Sequence, residues 1–215
     1  MHGRGSRDRR DEPNGATALV IGDVVGHDTQ AAAAMGQIRS TVRTIGAETR
    51  DGPADLLRRV DGVLDTLQTG ILATTVLARL EQTGDERSSG VTRLRWSNAG
   101  HPPPVMLTAD GRVQLITAAH TDLLLGVDPD APRRESLVTL DPGAVLLLYT
   151  DGLVERRDQD LDQGLDRLRR TLADLAGLNL DELCDELLTR MVPASPDDDV
   201  ALLAVRLRPD VLDEE

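Results

Sequence analysis

The chain has 215 residues, 40% of them apolar, and a formal net charge of −13. This length suits one domain with its own core, and the acidic balance argues against nucleic acid or an anionic membrane as the main partner, because both bind basic surfaces. The single cysteine, Cys184, excludes an intramolecular disulfide, and no apolar run reaches the roughly 20 residues of a membrane-spanning helix. We therefore expect a soluble, cytoplasmic protein.

The first third of the chain predicts a strand followed by two helices. Residues 1–15 are charged and contain Gly and Pro without a hydrophobic period, so we predict that they are disordered. The apolar run before Asp23 predicts a buried strand that ends in a glycine-containing loop. Asp28 is a predicted helix N-cap, and apolar residues recur at helical spacing through residues 29–49 and, starting at Pro53, through residues 53–68.

The rest of the chain predicts antiparallel hairpins, then two helices and a strand. Residues 71–81 and 91–100 predict strands joined by the polar turn QTGDERSSG, and residues 103–117 predict a hairpin with a DG turn. The remaining predicted elements are strands at 133–140 and 144–152 connected by DPG, helices at 161–176 and 180–192, and a strand at 198–208. This order predicts an α+β fold, with helices packed outside antiparallel sheets.

Aspartates that adjoin apolar strands are candidate metal ligands. Asp23 ends the first strand, Asp151 follows AVLLLYT and precedes Gly152, and Asp198 and Asp199 precede VALLAVRL. A strand end holds a charge rigidly, and a glycine beside it lets the backbone approach a ligand. Converging carboxylates repel each other unless a cation lies between them, and hard oxygen ligands favour Mg²⁺ or Mn²⁺. For each aspartate the alternative is a turn-forming role.

Five motifs occur in an order and spacing that resembles the metal-dependent protein phosphatase superfamily. They are GDVVGHDTQAAAAMGQIRS, WSNAGHPPPVML, LLLG, VLLLYTDGLVERR and DDDVALLAVRL, within residues 16–208. The resemblance is to the bacterial SpoIIE-like branch, which dephosphorylates serine and threonine in anti-sigma-factor regulatory circuits. It implies an αββα sandwich of two antiparallel sheets with a two-metal centre at one end, and leaves residues 209–215 as an acidic C-terminal tail.

The resemblance also implies roles for individual residues. Asp23 matches the aspartate that bridges both metals, and the backbone carbonyl of Val24 matches the adjacent ligand. Asp151 and Asp198 match the further carboxylates, with Asp199 left open as an alternative by the DDD run. The implied chemistry is hydrolysis by a water that two metals, Mn²⁺ or Mg²⁺, orient and activate, without a phosphoenzyme. The implied catalytic residues are therefore Asp23, Asp151 and Asp198.

Two histidines, His27 and His101, lie within these motifs, and we expect different roles for them. His27 lies four residues after the bridging aspartate, whereas the eukaryotic branch has a histidine two residues after it, so catalytic and structural roles both stay open for His27. His101, in NAGHPPP, is predicted to hydrogen-bond a turn and order its loop. The remaining predictions are core positions for Trp96 and Cys184, and a solvated pair or phosphopeptide contact at Arg156 and Arg157.

Members of the family usually carry a GGDWYD-like strand before the GD segment, and residues 1–15 show no such pattern. We therefore expect an N-terminally truncated sandwich, an incomplete metal centre and weak turnover by this chain alone. The predicted function is a metal-dependent protein serine/threonine phosphatase acting on a phosphorylated regulatory protein of the anti-sigma-factor antagonist type. The alternative is a pseudophosphatase that binds a regulator without turnover. A homodimer is left open.

Overall fold

The strands and helices follow the predicted order. The computed structural model describes residues 16–26, 29–49, 51–67, 69–156, 159–193 and 198–207; the predictions for residues 1–15, Asp28 and residues 209–215 lie outside these ranges. The strands are β1 Thr17–Val24, β2 Ala73–Glu81, β3 Thr92–Ala99, β4 Val105–Leu107, β5 Val113–Leu115, β6 Ser136–Leu140, β7 Val145–Tyr149 and β8 Leu202–Arg206. The helices are α1 Thr29–Glu48, α2 Pro53–Thr66, α3 Gly84–Ser89, α4 Leu161–Asp174 and α5 Leu180–Met191. None of these helices is long and apolar enough to cross a membrane.

The strands form two antiparallel sheets. The first sheet has the order β1-β2-β3-β6 and the second has the order β5-β4-β7-β8. Strands β6 and β7 follow each other in the sequence but lie in different sheets, so the connection around Asp141 carries the chain from one sheet to the other. Gly143 makes this turn with φ +81, and its amide donates to the Leu207 carbonyl. A positive φ of this kind favours glycine.

Three apolar clusters hold the layers together. One lies between the sheets and includes Ile21, Trp96 and Leu148. A second joins α1 and α2 to the outer face of the first sheet, and a third joins α4 and α5 to the outer face of the second. All five residues of β7 are buried because successive side chains point to opposite faces and both faces are covered. The αββα sandwich is therefore confirmed, as is the core position of Trp96, while Cys184 packs half-buried on the α5 side.

Two local predictions were wrong. The segment predicted as a polar turn between β2 and β3 forms α3, with a capping box in which the Glu86 amide donates to Thr83 Oγ1 and the Thr83 amide donates to the Glu86 carboxylate. Arg156 is not solvated: it is half-buried, and its guanidinium donates to the carbonyl of Met191 at the end of α5. Helix ends leave such carbonyls without intrahelical partners, which explains the contact. Arg157 lies outside the described residues.

Candidate metal centre

Three aspartates meet where the two sheets end together. Asp23 lies in β1 of the first sheet, Asp151 opens a 3₁₀ turn directly after β7 of the second, and Asp198 lies before β8. One ligand atom from each of the three lies within 4.8 Å of the others. The sequence had singled out these three carboxylates, and the fold brings them together. Asp199, the alternative to Asp198, is not part of this group within the described ranges.

Each of the three carboxylates is fixed beside its own backbone. The amide of the following residue donates to Oδ1 in every case: Val24 to Asp23 at 2.9 Å, Gly152 to Asp151 at 2.9 Å, and Asp199 to Asp198 at 2.8 Å. A carboxylate held by one oxygen keeps its second oxygen available for a cation. The Val24 amide thus has a structural role here, while the Val24 carbonyl as a ligand stays a prediction, and His27 lies outside the described residues.

Two glycines allow neighbouring segments to approach the carboxylates closely. A Cβ at Gly152 would lie 2.6 Å from the Asp199 carbonyl oxygen, and a Cβ at Gly22 would lie 2.7 Å from the Thr74 carbonyl oxygen. Both separations are too short for any side chain, so only glycine fits without a backbone shift. The sequence predicted that a glycine here would make room for a ligand. In the structure, Gly152 makes room for the segment that carries Asp198, and Gly22 makes room for Thr74 of the neighbouring strand β2.

The electrostatics of the cluster favour a bound cation. Burial, the charge of Asp151 and the weaker effects of Asp198 and Asp199 raise the pKa of Asp23 to about 6, although the Val24 amide opposes the shift. Burial and the charge of Asp198 raise the pKa of Asp151. Within the described residues, no arginine or histidine forms an ion pair with any carboxylate of the cluster. Like charges gathered without a counter-ion are unfavourable, so a divalent cation would relieve the repulsion.

His101 lies in the interior beside the cluster and is only 5% exposed. Its amide donates to Asn98 Oδ1 at 2.7 Å and Asn98 Nδ2 donates to its carbonyl at 2.8 Å, closing a turn in which Gly100 has φ +70. Because these two bonds join the Asn98 side chain to the His101 backbone, it is Asn98 that orders the loop, and the prediction of this role for the His101 side chain is not borne out. The ring lies 2.8 Å from Thr74 Oγ1 through Nδ1 and 3.0 Å from the Tyr149 carbonyl through Nε2. Burial lowers the pKa of His101 to about 4, so the ring is neutral at physiological pH.

Sequence reasoning missed Thr150, which links the segments that carry two of the carboxylates. Thr150 is 4% exposed. Its hydroxyl donates to the Asp199 carbonyl at 3.1 Å and accepts from the Ala201 amide at 2.9 Å, so it ties the end of β7 to the segment before β8. Its position next to Asp151 was a possible signal, but threonine at the end of a strand is too common to stand out.

The sandwich, with an acidic cluster at the common end of both sheets, is the architecture of the metal-dependent protein phosphatase superfamily. Within that superfamily, the sequence model described as Stage II sporulation protein E (SpoIIE) matches residues 13–208. The chain therefore belongs to the SpoIIE family, and the resemblance drawn from its five motifs is confirmed.

The chain is also similar to individual known proteins in sequence or in fold. The solved RsbU and RsbW domains of Rv1364c from Mycobacterium tuberculosis share 31% sequence identity with a TM-score of 0.75, over 90% of this chain and 52% of that one. The SiaA-PP2C domain of Pseudomonas aeruginosa has a TM-score of 0.71 at 20% identity, over 93% of this chain and 78% of that one. Protein IcfG of Synechocystis sp. is 27% identical over 87% of this chain. This chain spans 33% of IcfG and about half of the Rv1364c structure.

Proposed function

We propose that this chain is a divalent-metal-dependent protein phosphatase that hydrolyses phosphoserine or phosphothreonine on a regulatory protein. The observation that carries the proposal is the convergence of Asp23, Asp151 and Asp198 within 4.8 Å at the common end of both sheets. A scaffold without a ligand gains nothing from such a cluster, because each carboxylate raises the cost of ionising its neighbours. Membership of the SpoIIE family, whose fold is that of protein phosphatases, supports the same function.

The donor set suits Mg²⁺ or Mn²⁺. Asp23, Asp151 and Asp198 offer carboxylate oxygens only, with the Val24 carbonyl as a further proposed ligand, and hard oxygen donors favour these cations over Zn²⁺. A solved relative of the same fold, RsbX, is described in complex with magnesium; it is 15% identical with a TM-score of 0.62, over 93% of this chain and 82% of that one. Bound cations would activate a water for attack on phosphorus and offset the charge on the phosphoryl oxygens.

The residues of the chain prepare this chemistry by position and charge. Asp23 must lose its proton before it binds a cation, and its raised pKa of about 6 keeps it ionised at neutral pH but not in mild acid. The Val24, Gly152 and Asp199 amides hold one oxygen of each carboxylate in place. No serine or cysteine nucleophile is required, and Cys184 packs among apolar side chains on the helical side of the second sheet.

A phosphorylated regulatory protein is the proposed substrate. The similarity to the RsbU domain of Rv1364c, whose solved structure also contains an RsbW domain, supports a phosphoprotein of the anti-sigma-factor antagonist type. The net charge of −13 disfavours strongly acidic macromolecules such as nucleic acid, and a phosphoserine in a small protein presents only a local charge.

Phosphate release from a phosphoserine peptide, measured over a Mn²⁺ titration, tests this function. We expect turnover that depends on Mn²⁺ and disappears in Asp151→Asn. Asp185→Asn, on the exposed side of α5, is the matched control and should retain full turnover. A wild-type chain that binds Mn²⁺ without releasing phosphate would support the pseudophosphatase alternative instead. Equal turnover with Mn²⁺ and with chelator would refute a metal-dependent reaction.

A further inference from the structure

Both ring nitrogens of His101 are engaged, one by each sheet. Thr74 lies in β2 of the first sheet, 2.8 Å from Nδ1, and the Tyr149 carbonyl ends β7 of the second sheet, 3.0 Å from Nε2. A carbonyl oxygen can only accept, so Nε2 carries the proton, and Nδ1 of the neutral ring accepts from the Thr74 hydroxyl. The ring is therefore a hydrogen-bonded link between the two sheets.

This link ends beside two of the carboxylates. Thr74 is the partner of Asp23 in the pairing of β1 with β2. Tyr149 precedes Asp151 by two residues, with Thr150 between them. Thr150 in turn bonds the segment before β8, through the Asp199 carbonyl and the Ala201 amide. One series of contacts therefore runs from the strand of Asp23, through the ring of His101, to the segments that carry Asp151 and Asp198.

The ring itself is unavailable for proton transfer to a substrate. It is 5% exposed, and neither nitrogen has a free position, since one donates to a carbonyl and the other accepts from a hydroxyl. Its backbone is also fixed by the two bonds to Asn98. A buried ring bonded at both nitrogens, on a backbone fixed by two further bonds, transmits position, because any change in the separation of the sheets would stretch one of the ring's hydrogen bonds.

We propose that His101 is a positioning residue that sets the separation between Asp23 and Asp151 by joining β2 to β7 through its neutral ring. This inference rests on the proposed metal-dependent function, because the separation matters only if the two carboxylates share cations. Metal–ligand distances tolerate changes of only about 0.2 Å, so a link that fixes two ligand-bearing strands acts directly on affinity. Partners that orient metal ligands typically change metal affinity by about 10- to 100-fold when they are removed.

Calorimetric titration of Mn²⁺ into variants tests the proposal. Thr74→Val keeps the shape of the strand residue but removes the hydroxyl that donates to Nδ1, and we expect Mn²⁺ affinity to fall about tenfold or more. His101→Leu should lose affinity as well. His101→Gln should recover much of it, because its side-chain amide can both donate to the Tyr149 carbonyl and accept from Thr74.

The matched control is Thr92→Val at the opposite end of the first sheet, where the threonine hydroxyl accepts from Gln82 at 3.2 Å. It removes a comparable hydrogen bond, so its stability in chelator should fall like that of Thr74→Val while its Mn²⁺ affinity stays at the wild-type value. Wild-type affinity in Thr74→Val would overturn the positioning role alone. A wild-type chain that binds no Mn²⁺ would overturn the proposed function and this role together.

A second measurement does not involve the metal. In ¹⁵N spectra of histidine-labelled protein in chelator, the His101 signals, identified by their loss in His101→Gln, should show Nε2 protonated and Nδ1 unprotonated at neutral pH. The opposite tautomer would overturn the proposal, because Nδ1 could then not accept from Thr74. The expected tautomer, with Nε2 protonated and its proton exchanging slowly with solvent, would support a buried link between the sheets.

Discussion

Asp23→Asn should stabilise the metal-free protein and abolish its response to Mn²⁺. The pKa of Asp23 is raised from 3.8 to about 6, so the folded state disfavours the ionised carboxylate. A shift of about two pKa units corresponds to roughly 3 kcal/mol for a fully buried group, and we halve this to about 1.5 kcal/mol because Asp23 is only half-buried. The penalty is absent below the unfolded pKa and is fully present above pH 6. Asparagine removes the charge but keeps an oxygen to accept from the Val24 amide.

Urea unfolding at pH 7.5, with chelator and with Mn²⁺, measures both effects. In chelator, we expect the free energy of unfolding of Asp23→Asn to exceed that of the wild type by about 1 to 1.5 kcal/mol. With Mn²⁺ at about 100 times its dissociation constant, the wild type should gain about 2.7 kcal/mol and the variant almost none. At pH 4 the difference in chelator should shrink, because the wild-type carboxylate is then largely protonated.

Asp185→Asn is the control, since it removes one exposed carboxylate from α5. It should change neither the free energy of unfolding in chelator nor the stabilisation by Mn²⁺. A lower stability of Asp23→Asn than of the wild type in chelator at pH 7.5 would show that the Asp23 charge does not destabilise the metal-free protein. Equal stabilisation of Asp23→Asn and the wild type by Mn²⁺ would show that Asp23 does not bind the cation.

Three further predictions follow from the same geometry. Gly152→Ala should weaken Mn²⁺ binding in calorimetry, because its Cβ would lie 2.6 Å from the Asp199 carbonyl oxygen; Gly62→Ala, whose Cβ would meet nothing within 4 Å, should not. Mn²⁺ affinity of the wild type should fall by up to about tenfold per pH unit below pH 6, because a proton on Asp23 competes with the cation, and an affinity unchanged between pH 7.5 and 5 would contradict this. Cys184→Ser should leave phosphate release nearly unchanged, and lost turnover would indicate different chemistry.

Most of the secondary structure could be predicted because local patterns determine it. Apolar residues at helical spacing identified the long helices, and the DG pair identified the β4–β5 turn. The short helix α3 was missed although its capping box, Thr83 with Glu86, was visible in the sequence, because six polar residues also fit a turn. The assignment of β6 and β7 to different sheets could not be predicted, since a chain crossing between layers leaves no local pattern.

In the candidate site, too, some residues could be identified from the sequence and others only from the fold. The position of a carboxylate beside an apolar strand made Asp23, Asp151, Asp198 and Asp199 candidates, and the resemblance of the motifs assigned the ligand roles to Asp23, Asp151 and Asp198 with Asp199 left open. Thr74 and Thr150 could not be identified, because a threonine in or beside a strand is an ordinary strand residue until its partners across the fold are known. His101 was predicted to order its own loop. The contacts of its ring with both sheets could not be predicted, because they depend on long-range packing.

Anomalous diffraction at the manganese edge, from crystals of this chain grown with Mn²⁺, tests the proposed metal centre most directly. We expect anomalous density between Asp23, Asp151 and Asp198, with carboxylate oxygens at about 2.0 to 2.3 Å from the cation. The density should be lost in Asp151→Asn crystals grown in the same way. Ordered crystals with no anomalous density among these three carboxylates, or with manganese bound only elsewhere, would show that the three carboxylates do not form a metal centre.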